Sequence, residues 1–344
     1  MATIKEVAAL SNTSVSTASI VLRGDGDERK ISKTTQDHVL RAAKELGYQP
    51  NTSARKLREK KNNSISVAVF WADDFRLSMA VRFMRGLQNA IRSIDQQVEF
   101  SFFLYQNDEL SKQASLKRSI MFNAVIICNA SQTDMLFLEK TEFPVPIVLY
   151  NRHSVRHCTV NVNDHHLGSI PARIFARLGH KVTAMITSYS AFPGMDVRAQ
   201  SFLDEAKNSG LTISSILETE NSMAGGFQAA AKLCNAAPLP DCLFCASDAI
   251  AVGVLRYFNM KGIKIPEELE LISLGNGDQE QAQYTCPPLS VVYLPMEDMA
   301  QACFNTLLAL IKGEVSAPYS VELPITYIPR ESCRAARWDD IKSV

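Results

Sequence analysis

The sequence predicts an α/β protein of two unequal parts, a small helical head and a larger body of two lobes. Three observations predict it. Capped stretches with helical spacing, and no strand pattern, fill the first sixty residues. Beyond them, short apolar runs alternate with helical stretches, and the series occurs twice. Between head and body, Lys60-Lys61-Asn62-Asn63-Ser64 forms a polar boundary. Strands that alternate with helices build a parallel sheet covered on both faces, with right-handed crossovers.

In the head, Thr3 can cap a first helix, with Glu6 as the far half of a capping box. Ile4, Val7, Ala8 and Leu10 lie at helical spacing and are expected to form its apolar side. Ser11-Asn12-Thr13 is the turn. Ser14 caps a second helix, because its hydroxyl can accept from an orphan N–H of the first turn. Val15, Ala18, Val21 and Leu22 can face inward, with Ser16, Thr17, Ser19 and Ile20 on the other faces. Small polar side chains at the start of a second helix suit the DNA major groove, where that turn meets base edges. A plain helical hairpin packed on a globular body has the same pattern. A third helix opens at Ser32, carries Val39, Leu40, Ala43 and Leu46, and stops at Gly47.

The bulk properties bound the function. At 344 residues, with 46% hydrophobic and 21% charged, the chain can bury the cores of two or three domains. The net charge is zero but unevenly spread. Residues 1–61 hold 12 Lys/Arg against 7 Asp/Glu, so a basic head precedes an acidic body, the footprint expected of a DNA binder. No apolar run is long enough to span a bilayer, and the start of the chain lacks the apolar length of a secretory signal. A cytoplasmic protein is therefore expected. The eight cysteines are scattered and read as reduced, buried thiols. Cys242-Leu243-Phe244-Cys245 sits in an expected strand with no second pair nearby, which argues against redox or zinc chemistry. His153, His157, His165 and His166 fit no metal template, and no nucleophile elbow or phosphate loop occurs. No cofactor and no metal are expected.

In the body, strands are expected at 65–71, 98–105, 124–128 and 145–150, with helices at 77–94, 110–121 and 134–140. A second set begins near Val160. Its helices are expected at 164–178, 197–208, 224–235, 249–260 and 296–311. Its strands are expected at 182–187, 242–246, 269–274 and 290–293, with a final extended segment at 321–328. Ligands of open α/β sheets bind outside the carboxyl ends of the strands. That rule selects Phe70, Trp71 and Asp73; Asn129; Tyr150 and Asn151; Ser188; Ser247; and Asn276 and Asp278. Phe70, Trp71 and Tyr150 can stack on a sugar or base; Phe70 fits the core equally well.

Thr3-Ile4-Lys5-Glu6-Val7-Ala8, Ser14, Thr17, Ser19, Val21-Leu22, Gly24, Glu45-Leu46-Gly47-Tyr48, Pro50-Asn51 and Ala54-Arg55 with Leu57 resemble the DNA-binding head of the LacI/GalR family of bacterial transcription regulators. The resemblance continues through Arg152, Gly168, Leu178-Gly179-His180, Arg198, Ala246-Ser247-Asp248, Gly253, Pro266-Glu267, Gly275, Pro287-Pro288-Leu289-Ser290 and Pro295, and so covers nearly the whole chain. It implies a helix-turn-helix head at 1–50, a hinge helix and linker at 51–63, and a periplasmic-binding-protein-like body at 64–333. Lobe one would span about 64–160 and 293–322, lobe two about 161–292 and 323–333, with a tail at 334–344.

The resemblance also implies roles. Val15 and Ser16 fall on the main base-reading pair of the family. Ile20 stands where many members carry Arg, and Arg23 replaces an Asn and can touch phosphate. Leu57 falls on the hinge leucine that is wedged into the minor groove, a move that trades unstacking for a bent duplex. Thr3, Ser14, Thr17, Ser19, Asn51, Ala54 and Arg55 complete the implied DNA-facing set. In the cleft, Arg198 would hold a hydroxyl or carboxylate of the ligand, since a guanidinium is a rigid, permanently charged fork. Asn151, Ser247 and Gly277 depart from the sugar-binding pattern, where acids or Asn are usual. The expected effector is a sugar, then a nucleobase or sugar phosphate, and a body without any effector stays open. The implied assembly is a homodimer on a near-palindromic operator. Its candidate dimer surface is the helix at 79–94, and the tail is too short for a tetramer heptad segment. The rival readings are a solute receptor without a DNA role and an α/β sugar-modifying enzyme.

Overall fold

The computed structural model describes residues 4–22, 26, 29, 31–46, 64–73, 79–92, 94–117, 122–235 and 238–334. It divides into two compact units, Met1–Asn63 and Ser64–Val344. The first contains α1 (Ile4–Leu10), α2 (Val15–Leu22) and α3 (Lys33–Glu45). Val7, Ala8, Ala18, Val21, Val39, Ala42 and Ala43 form its core. The Ser14 hydroxyl accepts from the Thr17 N–H at 3.0 Å, and that of Ser32 from the Thr35 N–H at 3.2 Å, so each caps its helix. Four expected inward residues face out: Leu10, Val15, Leu40 and Leu46 are exposed. A unit this small buries one stripe per helix, and Val39, Ala42 and Ala43 occupy it on α3, which leaves Leu40 about 100° away. Thr3, Arg23 and the hinge segment at 51–63 lie outside the described residues.

The second unit is built on two six-stranded sheets. The first has the order β11-β5-β4-β3-β1-β2 and is wholly parallel. Its strands are β1 (Ile65–Ala72), β2 (Val98–Tyr105), β3 (Ala124–Cys128), β4 (Ile147–Tyr150), β5 (Cys158–Val162) and β11 (Ser320–Leu323). Helices α4 (Ala80–Arg92), α5 (Ala114–Lys117), α6 (Gln132–Lys140) and α12 (Met296–Lys312) accompany it. The second sheet has the order β12-β10-β9-β8-β6-β7, with only β12 antiparallel. It comprises β6 (Val182–Ser188), β7 (Thr212–Thr219), β8 (Cys242–Cys245), β9 (Glu270–Gly275), β10 (Ser290–Tyr293) and β12 (Thr326–Ile328). Helices α7 (Asp164–Arg177), α8 (Pro193–Asn208), α9 (Met223–Asn235), α10 (Asp248–Lys261) and α11 (Gln279–Gln283) belong to it. The chain passes between the sheets after Val162, Tyr293 and Leu323.

Every residue of β1 is buried, as a central parallel strand requires. Val67, Val69 and Trp71 enter a core that continues through α12 to the inner face of the second sheet. Ala68, Phe70 and Ala72 alternate onto the opposite face. A third core covers the outer face of the second sheet. Cys242 and Cys245 lie in different cores, on opposite sides of β8, so the strand itself keeps their thiols apart.

Several elements differ from the sequence expectation. Strand β5 and the short helix α11 are additional to it. So is strand β7, whose alternating exposed and half-buried pattern marks a sheet edge. Of the helix expected at 110–121, the described residues form a turn of 3-10 helix, Leu110–Lys112, and then α5; residues 118–121 lie outside the described ones. The extended segment at 321–328 is two strands, β11 and β12, each added to a different sheet.

Candidate functional site

On the head, the exposed surface of α2 begins with Ser14, Val15 and Ser16. Val15 is an exposed apolar side chain at the first helical position, flanked by two hydroxyls. Thr17, Ser19 and Ile20 are half-buried behind them. The Ser14 and Thr17 hydroxyls lie 2.8 Å apart. The Ser11 hydroxyl donates back to the Val7 carbonyl at 2.7 Å, and Asn12 takes a left-handed φ of 50°, which turns α1 into α2.

In the body, β1 and β6 are the points where strand order reverses, and the carboxyl ends of both sheets open on one cavity. Asn129 follows β3, Asn151 and Arg152 follow β4, Ala246 follows β8 and Asn276 follows β9. Asn129 and Asn151 both take left-handed backbone, φ 61° and 53°, a conformation that costs about 1–3 kcal/mol for a non-glycine residue and clusters at functional sites. The cavity has about 50 Å³ of open space. One buried water needs roughly 10–15 Å³, so the walls are drawn close together. Met79, Phe192, Met195, Phe244, Leu274, Leu294 and Met296 bring apolar side chains to its lining. Asn129, Tyr150, Asn151, Arg152, Thr187, Arg198, Asn221 and Asn276 bring the polar groups. A second cavity of about 250 Å³ adjoins it and shares Asn151, Arg152 and Phe192.

The two guanidiniums are held firmly. Arg152 donates to the carbonyls of Ala130 (2.5 Å) and Asn151 (2.6 Å), and its guanidinium lies 4.0 Å from the centre of the Phe192 ring. Arg198 donates to the Asp164 carboxylate at 2.7 Å, and its guanidinium lies 5.5 Å from the centre of the same ring. Helix α8 reaches that position only over a glycine, because a Cβ on Gly168 would stand 2.1 Å from the Arg198 carbonyl oxygen. The Ser247 hydroxyl donates to Asn221 Oδ1 at 2.5 Å, and the Asp248 N–H to Asn276 Oδ1 at 3.3 Å.

Of the cleft residues expected from sequence, Asn129, Tyr150, Asn151, Arg198 and Asn276 line the cavity. The other six do not. Phe70 is stacked on Phe103 in the core on the far face of its sheet. Trp71 is packed edge-on against Phe83 in the core on the other face. Strand alternation sends both into core, so neither is a stacking platform. Asp73 is exposed and accepts from Gln106 at 3.1 Å. Ser188 is buried at the end of β6. Ser247 caps α10, and Asp278 caps α11. The histidines also serve locally: His157 Nε2 lies 3.0 Å from the Leu138 carbonyl and His165 Nδ1 lies 2.9 Å from the Ser201 hydroxyl.

Sequence reasoning missed two features. Phe192 and the methionines shape the cavity, and no pattern distinguishes a lining Phe from a core Phe. Arg82 on α4 is the second. It is 3% exposed and makes bonds to both sides of the molecule's body. It donates to Glu297 on α12 at 2.8 Å, to Tyr293 Oη at 2.6 Å, and to the carbonyls of Gly275, Gly277 and Leu294 at 3.3, 3.1 and 3.0 Å. A buried guanidinium is tolerable only when so fully bonded.

A family model described as bacterial regulatory proteins, lacI family, matches residues 3–51, and one described as a periplasmic binding protein-like domain matches residues 172–333. The crystal structure of a LacI family transcription regulator from Clostridium acetobutylicum is 32% identical, with a TM-score of 0.75, over 77% of this chain and 99% of that one. The chain belongs to the LacI family of bacterial transcription regulators. The α1–α2 pair is accordingly its helix-turn-helix, and the two-sheet unit its effector-binding domain. The transcriptional repressor PurR of Haemophilus influenzae is 25% identical over 97% of this chain and 99% of its own length. The lac repressor dimer bound to operator and the anti-inducer ONPF shares the fold at a TM-score of 0.71 over 97% of this chain and 99% of that one, with 19% identity. Among the described residues no helix is long and apolar enough to cross a membrane.

Proposed function

We propose that this chain is a homodimeric repressor that reads a near-palindromic operator and is controlled by a small metabolite held between its two sheets. The observation that carries the DNA role is the exposed N-terminal turn of α2, where Ser14, Val15 and Ser16 present one methyl-bearing and two hydroxyl side chains from a rigid, capped helix. Hydroxyls bond to base edges and the valine methyls suit the thymine methyl. The dimer is supported by exposed apolar side chains on neighbouring elements, Val81 and Met84 on α4 and Phe102 and Leu104 on β2. The effector is supported by the cavity at the strand ends and by the strained Asn129 and Asn151 that rim it. A change in how the sheets close would order or release the hinge at 51–63 and so alter operator affinity.

The test is selection of genomic fragments by the purified protein at near-physiological salt, followed by footprinting. A short palindrome is expected. Binding that is sequence-blind and steeply salt-dependent would overturn the operator reading. Leu57→Ala should weaken operator binding by tenfold or more, about 1.4 kcal/mol, and leave effector binding to the body unchanged. Unchanged operator affinity would remove Leu57 from the hinge.

A further inference from the structure

We infer that Arg82 is a positioning residue for the cavity, a latch that holds the two sheets closed over it through bonds belonging to the protein alone. The inference takes the cavity to be the effector site, as proposed above, and adds what fixes its closed form. Arg82 stands on α4, beside the first sheet, and is buried. Glu297, on α12 beside the same sheet, orients the guanidinium by accepting from Nε at 2.8 Å and from Nη2 at 2.5 Å. The remaining N–H groups of the fork cross to the second sheet. Nη1 donates to the Gly275 and Gly277 carbonyls at the end of β9, at 3.3 and 3.1 Å. Nη2 donates to Tyr293 Oη and to the Leu294 carbonyl at the end of β10, at 2.6 and 3.0 Å.

These acceptors stand directly behind the cavity lining. Asn276, which lines the cavity, lies between the two glycines that Arg82 grips. Its Oδ1 accepts from the Asp248 N–H at 3.3 Å, and the Gly277 N–H donates to the Asp248 carboxylate at 2.9 Å, so α10 holds the same segment from within the second lobe. The Gly275 carbonyl also accepts from the Leu294 N–H at 3.2 Å, and the Leu294 carbonyl from the Met296 N–H at 2.8 Å. Leu294 and Met296 line the cavity as well. One guanidinium thus fixes, from the first lobe, the backbone that carries three lining residues. Moving the sheets apart at this point breaks four bonds at once. Arg85 cannot replace them, because it is half exposed and 3.9 Å from Asp278, and exposed pairs contribute little. A lysine cannot either. It brings a point charge with three donors, whereas the planar fork brings five. Lysine at this position can keep Glu297 but cannot span the carbonyls of Gly275, Gly277 and Leu294.

The chain passes between the sheets beside β5, β10 and β11, toward one edge of each sheet, and β2 and β7 are the opposite edges. Opening about the crossovers therefore moves the ends of β2 and β7 most. Gln106 and Glu220 follow those strands and are exposed. The full chain is spin-labelled at Gln106→Cys and Glu220→Cys, with Cys234→Ser and Cys286→Ser removing the two cysteines that are not buried. It is mixed with excess unlabelled chain, so that distances within one protomer dominate, and measured by double electron–electron resonance with no ligand added. One narrow distance is expected. Arg82→Lys should add a longer one, with the open population raised roughly tenfold or more. Glu297→Gln removes the charge but keeps an oxygen for the fork. It should lower the melting temperature and leave the distance at its wild-type value. Equal distances in wild type and Arg82→Lys overturn the inference. So does Glu297→Gln opening the lobes as far as Arg82→Lys, which would make the ion pair and not the fork the cause. Operator retention by the unsubstituted chain separates the two readings. Distances that behave as expected in a chain that retains no operator support the latch and count against the regulator. Retained operator with coinciding distances does the reverse.

Discussion

Asp248 shows how one residue can set a pH dependence. It opens α10 and is 6% exposed. Burial pushes its carboxyl from 3.8 up to about 6, against hydrogen bonds from the Ser273 hydroxyl and the Gly277 N–H and the charges of Arg82 and Arg330. Between about pH 4 and 6 the folded chain thus holds a proton that the unfolded chain has released. Stability from this group falls as pH rises through that window and is level above it, by a span on the order of 2–3 kcal/mol. Glu297 acts the other way. Burial alone would raise its carboxyl, but the bonds from Arg82 outweigh that and hold it low, so its contribution is lost in acid. Asp248→Asn isolates the first effect. Denaturant titrations at several pH values should show the variant gaining on wild type as pH rises from 4 to 6. Parallel curves would mean Asp248 ionises as it does in water.

At the scale of elements, Arg82 ties three pieces together. It stands on α4, pairs with Glu297 on α12, and bonds to the carbonyls of Gly275 and Gly277 at the end of β9. Gly277 is also the residue whose N–H bonds to Asp248. The α4–α12 contact is close, since a Cβ on Gly86 would stand 2.2 Å from the Glu297 carbonyl oxygen. Arg82→Met should cost roughly 3 kcal/mol, because it leaves the half-buried Glu297 carboxylate with only the more distant Arg85, at 3.8 Å, and strips the buried Gly275 and Leu294 carbonyls of a donor. Adding Glu297→Leu should recover part of that loss. Denaturant unfolding of both variants measures this, and a double variant no more stable than the single would show that packing rather than charge is at stake. The elements that sequence reasoning missed are the ones least defined locally. Strand β7 alternates weakly because it is an edge, and the break between β11 and β12 depends on which sheet each half joins.

At the scale of the whole molecule, the two units fold around separate cores. Val39 is fully buried in the head, among alanines and two other valines. Val39→Asp places a charge in that core and should abolish operator binding, since an unpaired buried carboxylate costs more than so small a core supplies. The heat-unfolding transition of the body should stay where it is in wild type. A body transition that moves with the head would mean the two units unfold together.

Much of this was legible in the chain order. Helix caps, apolar periods and strand–helix alternation are local, so they named α1 to α3, two α/β lobes with most of their strands, and the strand ends that rim the cavity. The residues that resemble the LacI family named the DNA-binding head, and the family matches bear it out. Only the tertiary structure decided which strand-end residues meet. Phe70 and Trp71 point into core by strand alternation, Ser247 and Asp278 turn back to cap helices, and Phe192, Met79 and Met296 come from separate elements to wall the cavity. The reason is range. A cap or a period is settled within a few residues, whereas the side chain that faces a cavity depends on partners far away in the sequence.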